Sequence, residues 1–236
     1  MPTATLALSL ALTLGTSALL AYAGALILRR PTDEEAKRAL RLFAVWWFSV
    51  AAVVLLGGSA TILSLAGVDS IRLQTALSYL TAVPLTLALW SLLYYLIFIY
   101  TGRPSAIWPL TLAYGVFFAF EMFYFSSFGD RSFQETPYSI RLVAARQPPA
   151  WVSVTFGLLL AVPILFVVVG YASLWFRTQE PDVRRRIGLV SSAFALWFGV
   201  VLAAFLLGWD RQDWFPLVYQ APGVVAGALV VTAYRR

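Results

Sequence analysis

The sequence predicts an all-α polytopic membrane protein: a single domain, residues 1–236, folded as a bundle of seven transmembrane helices. Three observations lead there. The chain is 61% hydrophobic and only 12% charged, whereas a soluble domain of this length is about half apolar and about a quarter charged. Its apolar residues gather in blocks of the length that crosses a bilayer, about 20 residues each. Short polar links carrying most of the charge separate those blocks. Cysteine and histidine are absent, which excludes disulfides, thiolate catalysis, Cys/His zinc sites, His-ligated haem and serine–histidine hydrolysis. The net charge of +6 belongs to membrane-flanking loops rather than to nucleic-acid binding.

The first span covers about 4–28. No lysine or arginine precedes Arg29, so the segment lacks the basic n-region of a signal peptide and is expected to be a retained helix. In the basic link that follows, Thr32 and Glu35 have the spacing of a capping box, with Asp33, Glu34 and Glu35 at the positive end of the helix dipole. The second helix then enters the bilayer over about 42–66. Trp46 and Trp47 near its start suit an aromatic belt. Gly57, Gly58 and Ser59 allow another helix to approach closely.

The third span covers about 75–100. Pro84 lies inside it, removes a backbone donor and predicts a kink. The turn Thr101-Gly102-Arg103-Pro104 ends it. The fourth span, about 107–128, contains the stretch FFAFEMFYFSSF. Within it Glu121 is the one acid or base placed in a membrane span, where a carboxylate costs several kcal/mol unless paired, hydrated or protonated. Helical spacing puts Tyr114, Phe117, Phe118, Tyr124 and Phe125 around it, so two phenols are candidate partners.

Residues 129–150 form the longest loop. Its apolar stretch Tyr138–Ala145 is expected to form a short interfacial helix or strand acting as a lid. The fifth span covers about 151–176 with Pro163 inside. A basic link follows, with Pro181-Asp182 as a helix start. The sixth span covers about 186–208 and the seventh about 214–234, the latter carrying Pro216, Gln220 and Pro222. The segments LTAVPL (80–85) and LAVPIL (160–165) share three residues, which is chance likeness among apolar helices or a trace of duplication.

Twelve of the seventeen Lys and Arg fall on the first, third and fifth links and the C-terminus. The positive-inside rule then places the N-terminus outside and the C-terminus in the cytoplasm of a cell membrane. Glu121 falls in the outer half of its helix.

Glu121 has two readings. It is a structural acid, paired with Arg72, Arg141 or Arg211, or it is a proton-sensing or ligand-contacting group in an outward cavity. Gln220, with Tyr219 and the carbonyl freed by Pro222, is a second candidate binding position or a packing contact. Tyr79, Tyr114, Tyr124 and Tyr219 join them as candidate ligand contacts. With Trp90, Tyr94, Phe118 and Trp197 they are either core and belt or the wall of an apolar pocket. A retinal Schiff base is excluded, because the single lysine, Lys37, lies in a link. No cofactor, metal site or catalytic constellation is expected, and phosphate-loop and dinucleotide glycine motifs are absent.

Ile99-Tyr100-Thr101-Gly102-Arg103, followed by a long outer loop, a basic inner link at Arg184–Arg186 and a Gly-rich last span, resembles the seven-transmembrane N-terminal sensor domain of prokaryotic membrane histidine kinases. The resemblance implies a receptor-like sensor; with no catalytic constellation in the chain, the expectation is a sensor without enzymatic activity that takes a small or apolar ligand from the outer side. No kinase domain follows Arg236, so its signal would pass to a separate cytoplasmic partner, unless the chain is a piece of a longer protein. The competing expectations are a small, proton-coupled transporter and a scaffold subunit of a membrane complex.

Overall fold

The computed structural model describes residues 4–30, 34–127, 129–144, 146, 148–207 and 212–235, with the side chains of 35, 104, 144, 205 and 206 outside the description. The proposed Thr32–Glu35 capping box and Arg211 therefore lie outside the described residues. The helices are α1 (Ala4–Leu28), α2 (Glu34–Gly57), α3 (Ser59–Leu65), α4 (Ile71–Leu80), α5 (Ala82–Thr101), α6 (Ile107–Ser126), α7 (Ala150–Arg177), α8 (Pro181–Leu206) and α9 (Phe215–Tyr234). A 3₁₀ turn, Pro104–Ala106, precedes α6. Strands β1 (Arg131–Glu135) and β2 (Ile140–Ala144) form an antiparallel hairpin in the long loop. Seven helical spans among the described residues are long and apolar enough to cross a membrane, with α4 and α5 together forming one. The chain is a multi-pass helical membrane protein.

Two spans are broken where the sequence carries helix-weakening residues. The second divides at Gly57-Gly58 into α2 and α3. The third divides at Thr81. Pro84 lacks the N–H that would bond Leu80, and its ring crowds the preceding turn. The Thr81 hydroxyl donates to the Leu77 carbonyl at 3.0 Å, a back-bond that also bends helices. By contrast α7 runs through Pro163 unbroken. Gly102 ends α5 in the left-handed conformation (φ 63°), its N–H donating to Phe98 O at 2.8 Å. A side chain would be strained there.

Spans pack in sequence around a ring. α1 packs on α2, α2 on α5, α5 on α7, α7 on α8, α8 on α9, and α9 returns to α1. α6 sits outside this ring against α4, α5 and α7. Its outward residues Trp108, Leu112 and Val116 are 77%, 73% and 66% exposed, as a lipid-facing surface should be. Close approach needs small residues. A Cβ on Gly58 would stand 2.6 Å from Thr13 Cγ2, and one on Gly223 2.9 Å from Thr16 Cγ2. α1 therefore lies against both, and the small-residue patches serve packing within the chain.

The main core fills one half of the ring. Phe43, Trp46, Trp47, Tyr95, Tyr171, Phe194 and Trp197 meet there. Trp46 and Trp47 are 2% and 1% exposed and pack on Phe194. They are core residues rather than the expected aromatic belt, because α2 is covered by α1, α5 and the middle of α8. The basic links gather beyond this half. Arg38 donates to the Tyr94 hydroxyl at 2.8 Å, Arg30 lies 5.2 Å over the Tyr234 ring and Arg184 4.3 Å over Trp175. We call this the arginine end and the opposite one, bearing the hairpin, the hairpin end.

Candidate functional site

The hairpin is tied to five parts of the bundle. The Thr136 hydroxyl accepts from the N–H groups of Tyr138 and Ser139, closing the turn. On α3, the Thr61 hydroxyl donates to Ile140 O at 3.2 Å and accepts from its N–H at 3.0 Å. Thr5 donates to Pro137 O at 2.6 Å. Arg141 donates to the carbonyls of Gln212 and Asp213 before α9, at 3.1 and 2.9 Å. Burial lowers the Arg141 guanidinium from its ordinary value, and the Asp213 carboxylate opposes that shift. Arg131 donates to Ser78 on α4 and, at 2.9 Å, to Phe125 O on α6. Beside this last anchor is an open groove of about 620 Å³, lined by Ile71, Arg72, Thr75, Tyr79 and Arg131 among others. Arg131 also lies 5.4 Å over the Tyr79 ring.

Glu121 lies one turn before Phe125, in the half of the bundle nearer the hairpin. It is 0% exposed. The donor that reaches its Oε2 is the hydroxyl of Thr86, just beyond the break in the α4–α5 span. Its Oε1 has no hydrogen-bond partner among the described residues. Arg141 is committed elsewhere, so the carboxyl rests on a neutral hydroxyl. An unpaired buried oxygen costs about 1–3 kcal/mol, which the surrounding aromatic packing must offset. Tyr114 and Phe117 form a small buried cluster with Leu89. The Tyr124 ring stacks on Phe156 of α7 at 4.2 Å, and Phe117 stacks on the same ring at 6.3 Å. Tyr79 meets Phe125 edge to face. Four of the six sequence candidates (Glu121, Tyr114, Tyr124 and Tyr79) thus share one seam among α4, α5, α6 and α7.

The other two lie on a different seam. Gln220 is 8% exposed between α9 and α1. Its amide donates to the Thr13 hydroxyl, its own carbonyl accepts from Thr16 at 3.2 Å, and Oε1 is unpartnered among the described residues. Tyr219 accepts, through its backbone carbonyl, from Trp197 Nε1 at 3.1 Å. Because α9 packs on α1 and α8 whereas α6 packs on α5 and α7, the structure forms two polar seams rather than one joint site.

Sequence reasoning missed Thr86, Thr61 and Gln74. Gln74 is 2% exposed. Its amide donates to Ser59 O at 3.2 Å while its Oε1 accepts from the Ser59 hydroxyl at 3.1 Å, clasping α3 to α4. Isolated Thr and Gln residues, whether near span ends as Thr61 and Gln74 or at mid-span as Thr86, carry no signal above the ordinary scatter of small polar groups in apolar helices. No protein-family model and no curated protein sequence matches this chain.

Proposed function

We propose that the chain is a receptor-like sensor of a prokaryotic cytoplasmic membrane, without enzymatic activity, with the hairpin end outside and the arginine end in the cytoplasm. A small apolar ligand enters from the hairpin side, and the groove at Tyr79 and the Glu121 seam receive it. The carrying observation is the broken α4–α5 span. It bears the groove residue Tyr79, the hairpin anchor Ser78, the Glu121 donor Thr86 and, at the arginine end, Tyr94 bonded to Arg38. Movement about the break at Thr81 would change the packing at both ends, and a ligand preferring one packing would shift the population toward it. The signal would then pass through the basic links to a cytoplasmic partner, as the resemblance to histidine-kinase sensor domains implies.

The packed aromatic core in the arginine half favours this reading over transport, since a carrier must open its site to both sides.

The test is to purify wild type and Glu121→Gln gently from native membranes and identify retained molecules by mass spectrometry. A stoichiometric small molecule held by the wild type and lost from the variant supports the reading. Equal retention by both removes Glu121 from the site. Proton-driven flux in proteoliposomes that Glu121→Gln abolishes would replace the sensor with a transporter.

A further inference from the structure

Two opposite charges line one groove at the hairpin end without meeting. Arg72, in the first turn of α4, and Asp130, between α6 and β1, both face the open groove of about 620 Å³. Both are exposed. The ion pair among the described residues is Lys37–Glu34, at the arginine end, so Arg72 and Asp130 pair neither with each other nor with another described residue. Arg131, the third charge of the groove, is held by Ser78, the Phe125 carbonyl and the Tyr79 ring. Thr75 lines the groove one turn after Arg72, on the same face of α4. The first turn of α4 carries no acid, so the positive end of its dipole adds to the Arg72 charge. The α4 wall therefore favours an anion, and the carboxylate on the facing chain favours a cation. An anion alone would be repelled by Asp130 and a cation alone by Arg72. A ligand bearing both charges satisfies the two.

We infer that the groove binds a zwitterionic head group, with its oxyanion at Arg72 and Thr75 and its ammonium at Asp130. The Arg72 guanidinium offers a planar fork of donors suited to phosphate or carboxylate oxygens. The place in the fold points to a membrane amphiphile as the carrier of that head. α4 opens the membrane span Ile71–Thr101, so the groove lies where head groups lie. Further along the same span Leu80 and Val83 are 50% and 42% exposed, an apolar surface for the chains. The inference rests on the sensor reading for the groove as the ligand's entrance, and it adds the polar head that the apolar part of that ligand carries. Its binding test is separate, because it counts lipid on the protein and needs no signalling output.

The intact chain is purified in a nonionic detergent and titrated with phosphatidylethanolamine or phosphatidylglycerol of equal chain length, with bound lipid counted by native mass spectrometry. Wild type should bind phosphatidylethanolamine the more tightly. Arg72→Gln should weaken that binding roughly fivefold. Asp130→Asn should weaken it by a similar factor while strengthening phosphatidylglycerol, which inverts the preference. Both side chains are exposed, so neither change removes a core contact. Arg103→Gln, at the arginine end, should leave phosphatidylethanolamine binding unchanged. Glycerophosphoethanolamine, which lacks the chains, separates the sources. A rise in unfolding temperature with it, lost in both groove variants and unaccompanied by a lipid preference, assigns the same head-group chemistry to a soluble zwitterion. Asp130→Asn strengthening both lipids alike would replace the zwitterion with a plain anion and overturn the inference. Equal phosphatidylethanolamine binding by wild type and both variants, with no response to glycerophosphoethanolamine, overturns the site itself. Either failure leaves the retention test on Glu121→Gln standing, and loss of the sensor reading leaves the head-group result standing.

Discussion

Glu121 and Thr86 form the smallest unit that can be tested directly. Thr86→Val removes the donor and leaves both carboxyl oxygens without one. It should destabilise the protein by about 1–3 kcal/mol, the cost of an unsatisfied buried acceptor. Replacing both partners by apolar residues of similar shape removes the unmet need, so Thr86→Val with Glu121→Leu should recover most of that loss. Thermal unfolding of the two single variants and the double variant closes the cycle, and strictly additive losses would show that the two groups do not interact. The acid was conspicuous in the sequence because any ionisable group in an apolar run is. Its donor was not, because Thr86 lies on another span and helical spacing reports only neighbours on the same helix.

At the scale of elements, the break at Gly57-Gly58 gives a sharp contrast. A Cβ on Gly57 meets nothing within 4 Å, whereas one on Gly58 would stand 2.6 Å from Thr13. Gly57→Ala should be neutral or stabilise by up to about 1 kcal/mol through reduced backbone entropy. Gly58→Ala should cost about 1–3 kcal/mol by forcing α1 away. Equal unfolding temperatures for the two variants would refute the close approach of α1. The hairpin gives a second test. Arg141→Gln removes its link to the carbonyls before α9 and should raise amide exchange in β1 and β2 severalfold, since an exposed charged contact of this kind holds about 1 kcal/mol. Exchange unchanged from wild type would mean that Thr5, Thr61 and Arg131 hold the hairpin without it.

For the whole molecule, the ring of six spans with α6 outside it separates two polar seams that the sequence could have joined. It also gathers the basic links at one end, whose side of the membrane is open to direct test. The absence of native cysteine makes single labels clean. Ser132→Cys on the hairpin should react with an impermeant maleimide in intact cells, and Gln179→Cys between α7 and α8 only after permeabilisation. The reverse pattern would invert the proposed orientation.

The sequence by itself determined the membrane class, the presence of seven long apolar helices, the helix stop at Gly102 and an acid inside a span, because hydropathy, breaker residues and charge are local properties. It left the Tyr138–Ala145 stretch open between helix and strand, and pairing with Arg131–Glu135 decided that. Tertiary structure alone decided that Trp46 and Trp47 are core, that Glu121 leans on Thr86, and that Gln220 belongs to α1. Each of these depends on which helix lies beside which, and apolar spans carry almost no sequence mark of their neighbours, since lipid and helix offer the same apolar surroundings.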